Sequence, residues 1–277
     1  MLTTNDHRRD VLGLKYVYPV VSRRAGGVSV GINLNVNNAC NWACRYCQVP
    51  DLTRGGPPPV DLEQLESEIR LLLTQICHGS YLDLNVPAGA RKLVDLAFSG
   101  NGEPTSSAEF LGAVETVIRV HREFGLDGEA KLRLITNGSF LHRARVREGI
   151  ARLGQCAGEI WFKVDRATSE GVFVVNGVHR DPARMRDSLT LCAELAETWI
   201  QTCLFAIDGV GMSDHESEAY LEFVRSVVGQ VKGVLLYGLA RPSLQPGAER
   251  LTRLPESELH RFAENIAATG MEVVVSP

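Results

Sequence analysis

Three cysteines, Cys40, Cys44 and Cys47, stand in one eight-residue window with the spacing CxxxCxxC. Loops of three and two residues close at little entropic cost, so thiolates spaced this way converge on one metal centre. A closed structural site needs a fourth ligand. The next cysteine and histidine, Cys77 and His78, lie beyond a proline-rich loop and a helical pattern. Three close ligands and an absent fourth fit a 4Fe–4S cluster with one iron left open for chemistry. The alternative is zinc completed by a distant His or Cys, although zinc sites usually show a second closely spaced ligand pair.

The elements that must hold such a centre follow from apolar periodicity. Strands are predicted at 28–36, 93–99, 131–136, 159–165, 199–205, 234–240 and 271–275. Helices are predicted between them at 61–77, 107–124, 143–153, 182–197, 214–228 and 256–268. In the first helix Asp61 caps the N-terminus, Gln64 occupies the capping-box position, and Leu62, Leu65, Ile69, Leu72, Leu73 and Ile76 form one stripe. Strict strand–helix alternation implies parallel strands with right-handed crossovers, hence a doubly wound sheet or a barrel. Strands covered on both faces should be apolar on both. Here Asn33, Asn35 and Asn37, Asp95 and Ser99, and Lys163 and Asp165 alternate with apolar neighbours. One polar face per strand predicts an incompletely closed α/β barrel with a wet central cavity.

The 277 residues suit one such domain, with residues 1–27 as an extension packing near the cysteines and 243–277 as a closing helix and strand. The N-terminal residues show no secretory signal and no run is long enough to span a bilayer, so a cytoplasmic protein with reduced thiols is expected. Cys77, Cys156, Cys192 and Cys203 are scattered and read as small buried apolar residues. Net charge is −4, and the densest basic stretch, His142 to Arg147, reads as a solvated helix face more readily than an RNA footprint.

Ligands of parallel α/β folds bind at the carboxyl ends of the strands. The cysteine loop, Ser99-Gly100-Asn101-Gly102-Glu103-Pro104, Thr136-Asn137-Gly138 and Lys163-Val164-Asp165 all fall at such ends. In this order they resemble the radical S-adenosylmethionine (SAM) superfamily, whose cysteine loop is CxxxCxφC, with Tyr46 as the aromatic φ residue. A narrower resemblance joins the stretch from Ser22 to Leu34, the cysteine loop and Val49-Pro50 to proteins related to the wyosine-base tRNA synthases. Those synthases carry a second cluster on cysteines upstream of the triplet, and this chain has no cysteine before Cys40.

The resemblance implies a partial (β/α)6 barrel of the TIM type, a 4Fe–4S cluster on Cys40, Cys44 and Cys47, and SAM as the second cofactor. It implies that Gly100, Asn101, Gly102 and Glu103 receive the SAM ammonium, since a carboxylate suits a cation and glycine lets backbone approach. Thr136 and Asn137 would lie near the ribose and Lys163 near the SAM carboxylate. Asp165 would face ribose or substrate, its alternative being an ion pair with Lys163. Gln201 and Leu239 are further SAM candidates. A small-molecule substrate is favoured, tRNA is the alternative, and a flavodoxin or ferredoxin is the implied reductant. A non-catalytic zinc or iron–sulfur protein is the reading from another class. Arg23, Arg24 and Arg241 are candidates for an anionic substrate, and the Pro/Gly loop at 50–59 either covers the site or connects across the surface.

Overall fold

The computed structural model describes residues 13–22 and 26–276. Residues 1–12 and the candidates Arg23 and Arg24 lie outside them. Eight strands form one sheet: β1 (Val17–Ser22), β2 (Gly27–Ile32), β3 (Leu93–Phe98), β4 (Lys131–Thr136), β5 (Glu159–Lys163), β6 (Glu197–Leu204), β7 (Gly233–Gly238) and β8 (Val273–Ser276). They pair in strict chain order. A doubly wound sheet reverses its order partway; a sheet that never reverses curls in one sense toward a barrel. β1 and β8 are edges that do not pair with each other, so the barrel stays open. Every pairing is parallel except β1 with β2.

Seven helices of eight residues or more flank the sheet among the described residues: α1 (Leu62–Cys77), α2 (Phe110–Glu123), α3 (Ala144–Gln155), α4 (Ser169–Asn176), α5 (Pro182–Leu195), α6 (Asp214–Arg225) and α7 (Glu256–Ala267). In α1 the Asp61 side chain accepts from Gln64 N at 3.0 Å, as expected. Leu65, Ile69, Leu72, Leu73 and Ile76 are buried, each contributing about 1.5–3 kcal/mol. The Gln64 side chain reaches Glu68 at 2.9 Å instead of closing a capping box. No helix of the described residues is long and apolar enough to cross a membrane.

Three differences from the expected elements bear on the site. β1 is not among the expected strands, because Pro19 within its run argues against one; as an edge strand β1 tolerates the missing donor. β2 stops at Ile32 rather than at residue 36. Asn33 Oδ1 accepts from Asn35 N and Asn101 N, and Asn35 Nδ2 donates to Ala39 O at 2.9 Å, so these side chains replace ladder bonds and turn the chain. Their alternation is therefore no strand face, and Asn37 is exposed. Finally, the Gly171–Asn176 run, rich in β-formers, is helical. Thr168 caps α4 through Gly171 N, and Gly177 ends it with φ +67°.

Candidate functional site

A cavity of about 310 Å³ opens at the carboxyl ends of the strands. Cys40, Cys44 and Cys47 form part of its wall, together with Tyr46, Lys163, Gln201 and Leu239. It descends past Asn137 on the β4 strand end to Arg133, four residues or roughly 13 Å deeper at about 3.3 Å per residue. The inner faces of β3 to β6 do carry polar groups, in keeping with the alternation of Asp95, Ser99 and Lys163.

The cysteine loop is held from three sides. Ala39–Cys40 pairs with Thr53–Arg54, so the Pro/Gly loop folds back on the first cysteine. The end of α4 accepts Ala43 N through Asn176 O at 3.0 Å and Arg45 N through Val175 O at 2.8 Å. From residues 243–245, Ser243 Oγ donates to Arg45 O at 2.6 Å, Gln245 Nε2 to Val49 O at 2.7 Å and Leu244 N to Cys47 O at 3.0 Å. A Cβ on Gly177 would stand 2.9 Å from Ala43 O in a left-handed backbone. Gly177→Ala should therefore cost about 1–2 kcal/mol and displace the loop between Cys40 and Cys44. A lower melting temperature is the expected result.

The Cys40 and Cys44 thiols are desolvated. Burial pushes Cys40 up to about 11 against a 3.4 Å bond from Trp42 N, and Cys44 up to about 12 against the charge of Lys163. Metal binding at these sulfurs must therefore displace protons. Among the described residues, no three His, Cys, Asp or Glu side chains are gathered tightly enough to hold a single metal ion.

Glu103 is buried beside the triplet and is the node of the second loop. Its Oε1 accepts from Thr105 N at 3.1 Å, Thr105 Oγ1 at 2.6 Å and Thr136 Oγ1 at 2.6 Å; Oε2 accepts from Asn137 N at 2.7 Å. Burial raises its pKa and these donors oppose the rise. Thr136 is fully buried behind it. Asn137 reaches the cavity wall, but its amide bridges Asn41 Oδ1 and Ser139 N, each at 3.0 Å. The two glycines serve close packing of protein on protein. A Cβ on Gly102 would strike the Ala39 carbonyl, and one on Gly100, at φ +144°, would strike the Asn33 side chain.

Lys163 and Asp165 do not form the simple ion pair weighed as an alternative. The Lys163 ammonium sits 4.9 Å from the Tyr46 ring centroid, and Tyr46 OH donates to Asp165 Oδ2 at 2.6 Å. Burial works against the lysine charge, but electrostatic coupling to Tyr237, Asp165, Cys44 and Cys203 outweighs it and raises the pKa. Lys163 is thus a fixed cation in the wall. Asp165, 1% exposed, lies behind it and accepts Cys203 N at 2.8 Å and Asn176 Nδ2 at 2.7 Å. Gln201 is the register partner of Lys163, is 1% exposed, and has an Nε2 with no acceptor. Leaving that donor bare costs about 1–3 kcal/mol, which a ligand acceptor would recover.

At the floor, Arg133 stacks on Trp161 with 4.7 Å to the ring, pairs with Asp95, and bonds Glu159 at 3.0 Å. Sequence reasoning missed this network, and it missed Arg180, which donates to Asn137 O at 2.7 Å. It also missed Asn176, Ser243 and Gln245. The alternation of Arg133 and Glu159 with apolar neighbours was a signal for the floor; nothing local marked the others. Of the scattered cysteines, Cys192 and Cys203 are buried, Cys156 is half-buried, and Cys77 is exposed, since it ends α1 away from the apolar stripe.

No protein-family model matches the chain and no curated protein matches it. Solved structures do. A radical SAM methyltransferase from Sphaerobacter thermophilus superposes with a TM-score of 0.62 at 16% identity, over 90% of this chain and 66% of that one. TYW1 with a lysine–pyruvate adduct bound gives 0.57 at 16% identity, over 90% and 74%. A histidine-tagged anSMEcpe with bound AdoMet gives 0.51 at 16% identity, over 88% and 62%. The chain thus spans just under two thirds of the methyltransferase and of anSMEcpe. At this identity the likeness defines the fold, the partial barrel of radical SAM enzymes.

Proposed function

We propose that this chain is a radical SAM enzyme acting on a small molecule bound in the barrel cavity. The observation that carries the reading is one wall. It brings three cysteine thiols, the fixed Lys163 cation and the unpartnered Gln201 amide to one cavity. Cys40, Cys44 and Cys47 would hold a 4Fe–4S cluster. The Gly100–Glu103 loop, Asn137, Lys163, Gln201 and Leu239 would hold SAM, with Lys163 and Gln201 offering donors to its carboxylate. When bound, the pair supplies a one-electron cleavage of a sulfonium C–S bond and a carbon radical.

The chain's own groups bind, orient and keep water out. Lys163 stays protonated, so it acts as a cation and not as an amine nucleophile. Trp42, Tyr46 and Val49 pack about the cysteine loop, and Trp161 and Arg133 close the floor. A cavity reaching that floor suits a small substrate better than a folded RNA. Within the basic stretch, Arg147 Nη1 caps Leu141 O and His142 O, each at 2.9 Å, and Arg143 lies over Phe140, so both arginines serve local structure. A flavodoxin or ferredoxin would supply the electron.

The test is anaerobic reconstitution with iron and sulfide, reduction, addition of SAM, and detection of 5′-deoxyadenosine by mass spectrometry. Wild type should turn brown and form the product, while Cys44→Ala should lose both colour and cleavage. A colourless wild-type protein with stoichiometric zinc would overturn the reading.

A further inference from the structure

Asn176 ends α4, is 1% exposed, and lies 132 positions from Cys44 in sequence. Its Nδ2 stands 3.3 Å from Cys44 Sγ and 2.7 Å from Asp165 Oδ2. Asp165 Oδ2 already accepts the Tyr46 OH, so it is Nδ2 and not the carbonyl oxygen of Asn176 that faces it and the Cys44 sulfur. The amide orientation is therefore forced by chemistry. Asp165 is itself fixed by Cys203 N and Tyr46 OH. One amide proton is anchored on Asp165, and the other is aimed at the cysteine sulfur. Backbone contacts leave this side chain free for the task, since it is Asn176 O, not its amide, that accepts Ala43 N.

We infer that Asn176 is a positioning residue that sets the reduction potential of an iron–sulfur cluster bound through Cys44. The inference rests on the cluster reading above. One electron from a low-potential one-electron donor adds a negative charge that spreads onto the ligating sulfurs. A hydrogen bond to such a sulfur favours the more negative, reduced form, and hydrogen bonds to sulfur are a principal control of cluster potential. The neighbouring Asp165 carboxylate acts in the opposite sense. The Asn176 amide stands between that charge and the sulfur, so losing it removes a favourable dipole and leaves the carboxylate facing the cluster.

Wild type, Asn176→Leu and Asn176→Ala are reconstituted anaerobically and titrated with dithionite, without SAM, while electron paramagnetic resonance follows the reduced cluster. Both variants lack the donor, but leucine fills the volume and alanine leaves it empty. Both should become roughly tenfold harder to reduce, about 59 mV for a one-electron couple. Midpoints equal to wild type would overturn the inference. So would a shift in the alanine variant alone, which would report packing, or loss of the cluster from both variants, which would make the side chain a loop anchor. A wild-type protein that takes up no cluster would instead sink the functional reading.

Discussion

Arg133→Met is expected to lower stability by about 3–5 kcal/mol near neutral pH, because it strips the partner from two buried carboxylates. Asp95 is 2% exposed and Glu159 9% exposed, and both contact the Arg133 guanidinium. Burial already holds the Asp95 pKa above the ordinary range, with Arg133 and Ser29 restraining the rise. For Glu159 burial also pushes upward, but Arg133 and Lys131 reverse the sign and hold it low. A raised carboxyl is most favourable when protonated, so Asp95 weakens the fold as pH rises through its folded value. A lowered one does the opposite, and Glu159 loses its contribution as pH falls through its folded value. Without Arg133 the Asp95 pKa rises further, while Glu159 keeps Lys131 and loses only part of what holds it low. The gap between variant and wild type should therefore be widest at pH 7–8 and narrow toward pH 5. Urea unfolding at several pH values measures it, and a gap that is constant or wider at pH 5 would refute the argument.

That network also shows what local pattern conveys. Strand and helix alternation was legible because burial on one side imposes a period of 2 or 3.6 on the apolar residues. The inward polar face was legible for Asp95, Ser99 and Lys163 on the same ground. It failed for Asn33, Asn35 and Asn37, whose period of 2 comes from side chains bonding nearby backbone outside any strand. Short polar side chains that compete with the ladder give the alternation of a strand without its pairing. α4 went unassigned for the converse reason, since β-branched residues at a capped helical turn follow tertiary context over propensity.

The chemical residues divide the same way. Cys40, Cys44, Cys47, Glu103 and Asn137 announce themselves by spacing within loops. The groups that hold them do not. Arg180, Asn176, Ser243 and Gln245 reach the cysteine and Asn137 loops from distant helices and turns, and their positions along the chain carry no periodic mark. Even where a motif was legible, its physical reason was not. The glycines at 100 and 102 are required by neighbouring protein atoms, and Thr136 by the Glu103 carboxylate.

Glu103→Ala should therefore be read first as a loss of structure. The carboxylate takes four hydrogen bonds from Thr105, Thr136 and Asn137 inside a site only 3% exposed. Removing it leaves those donors buried at about 1–3 kcal/mol each, although water entering from the cavity would relieve some. A net loss of about 3 kcal/mol corresponds to roughly 5 °C in melting temperature for a chain of this size. Glu103→Gln should fall between, because its oxygen can serve the Thr105 and Thr136 side while its NH2 faces the Asn137 N–H. Inactivity of Glu103→Ala would consequently say nothing about contact with SAM. Contact is tested by Glu103→Gln at a temperature where it stays folded, through SAM affinity measured calorimetrically. If Glu103→Ala melts within about 1 °C of wild type, less than 1 kcal/mol on the same scale, the carboxylate is not the node that joins the loops.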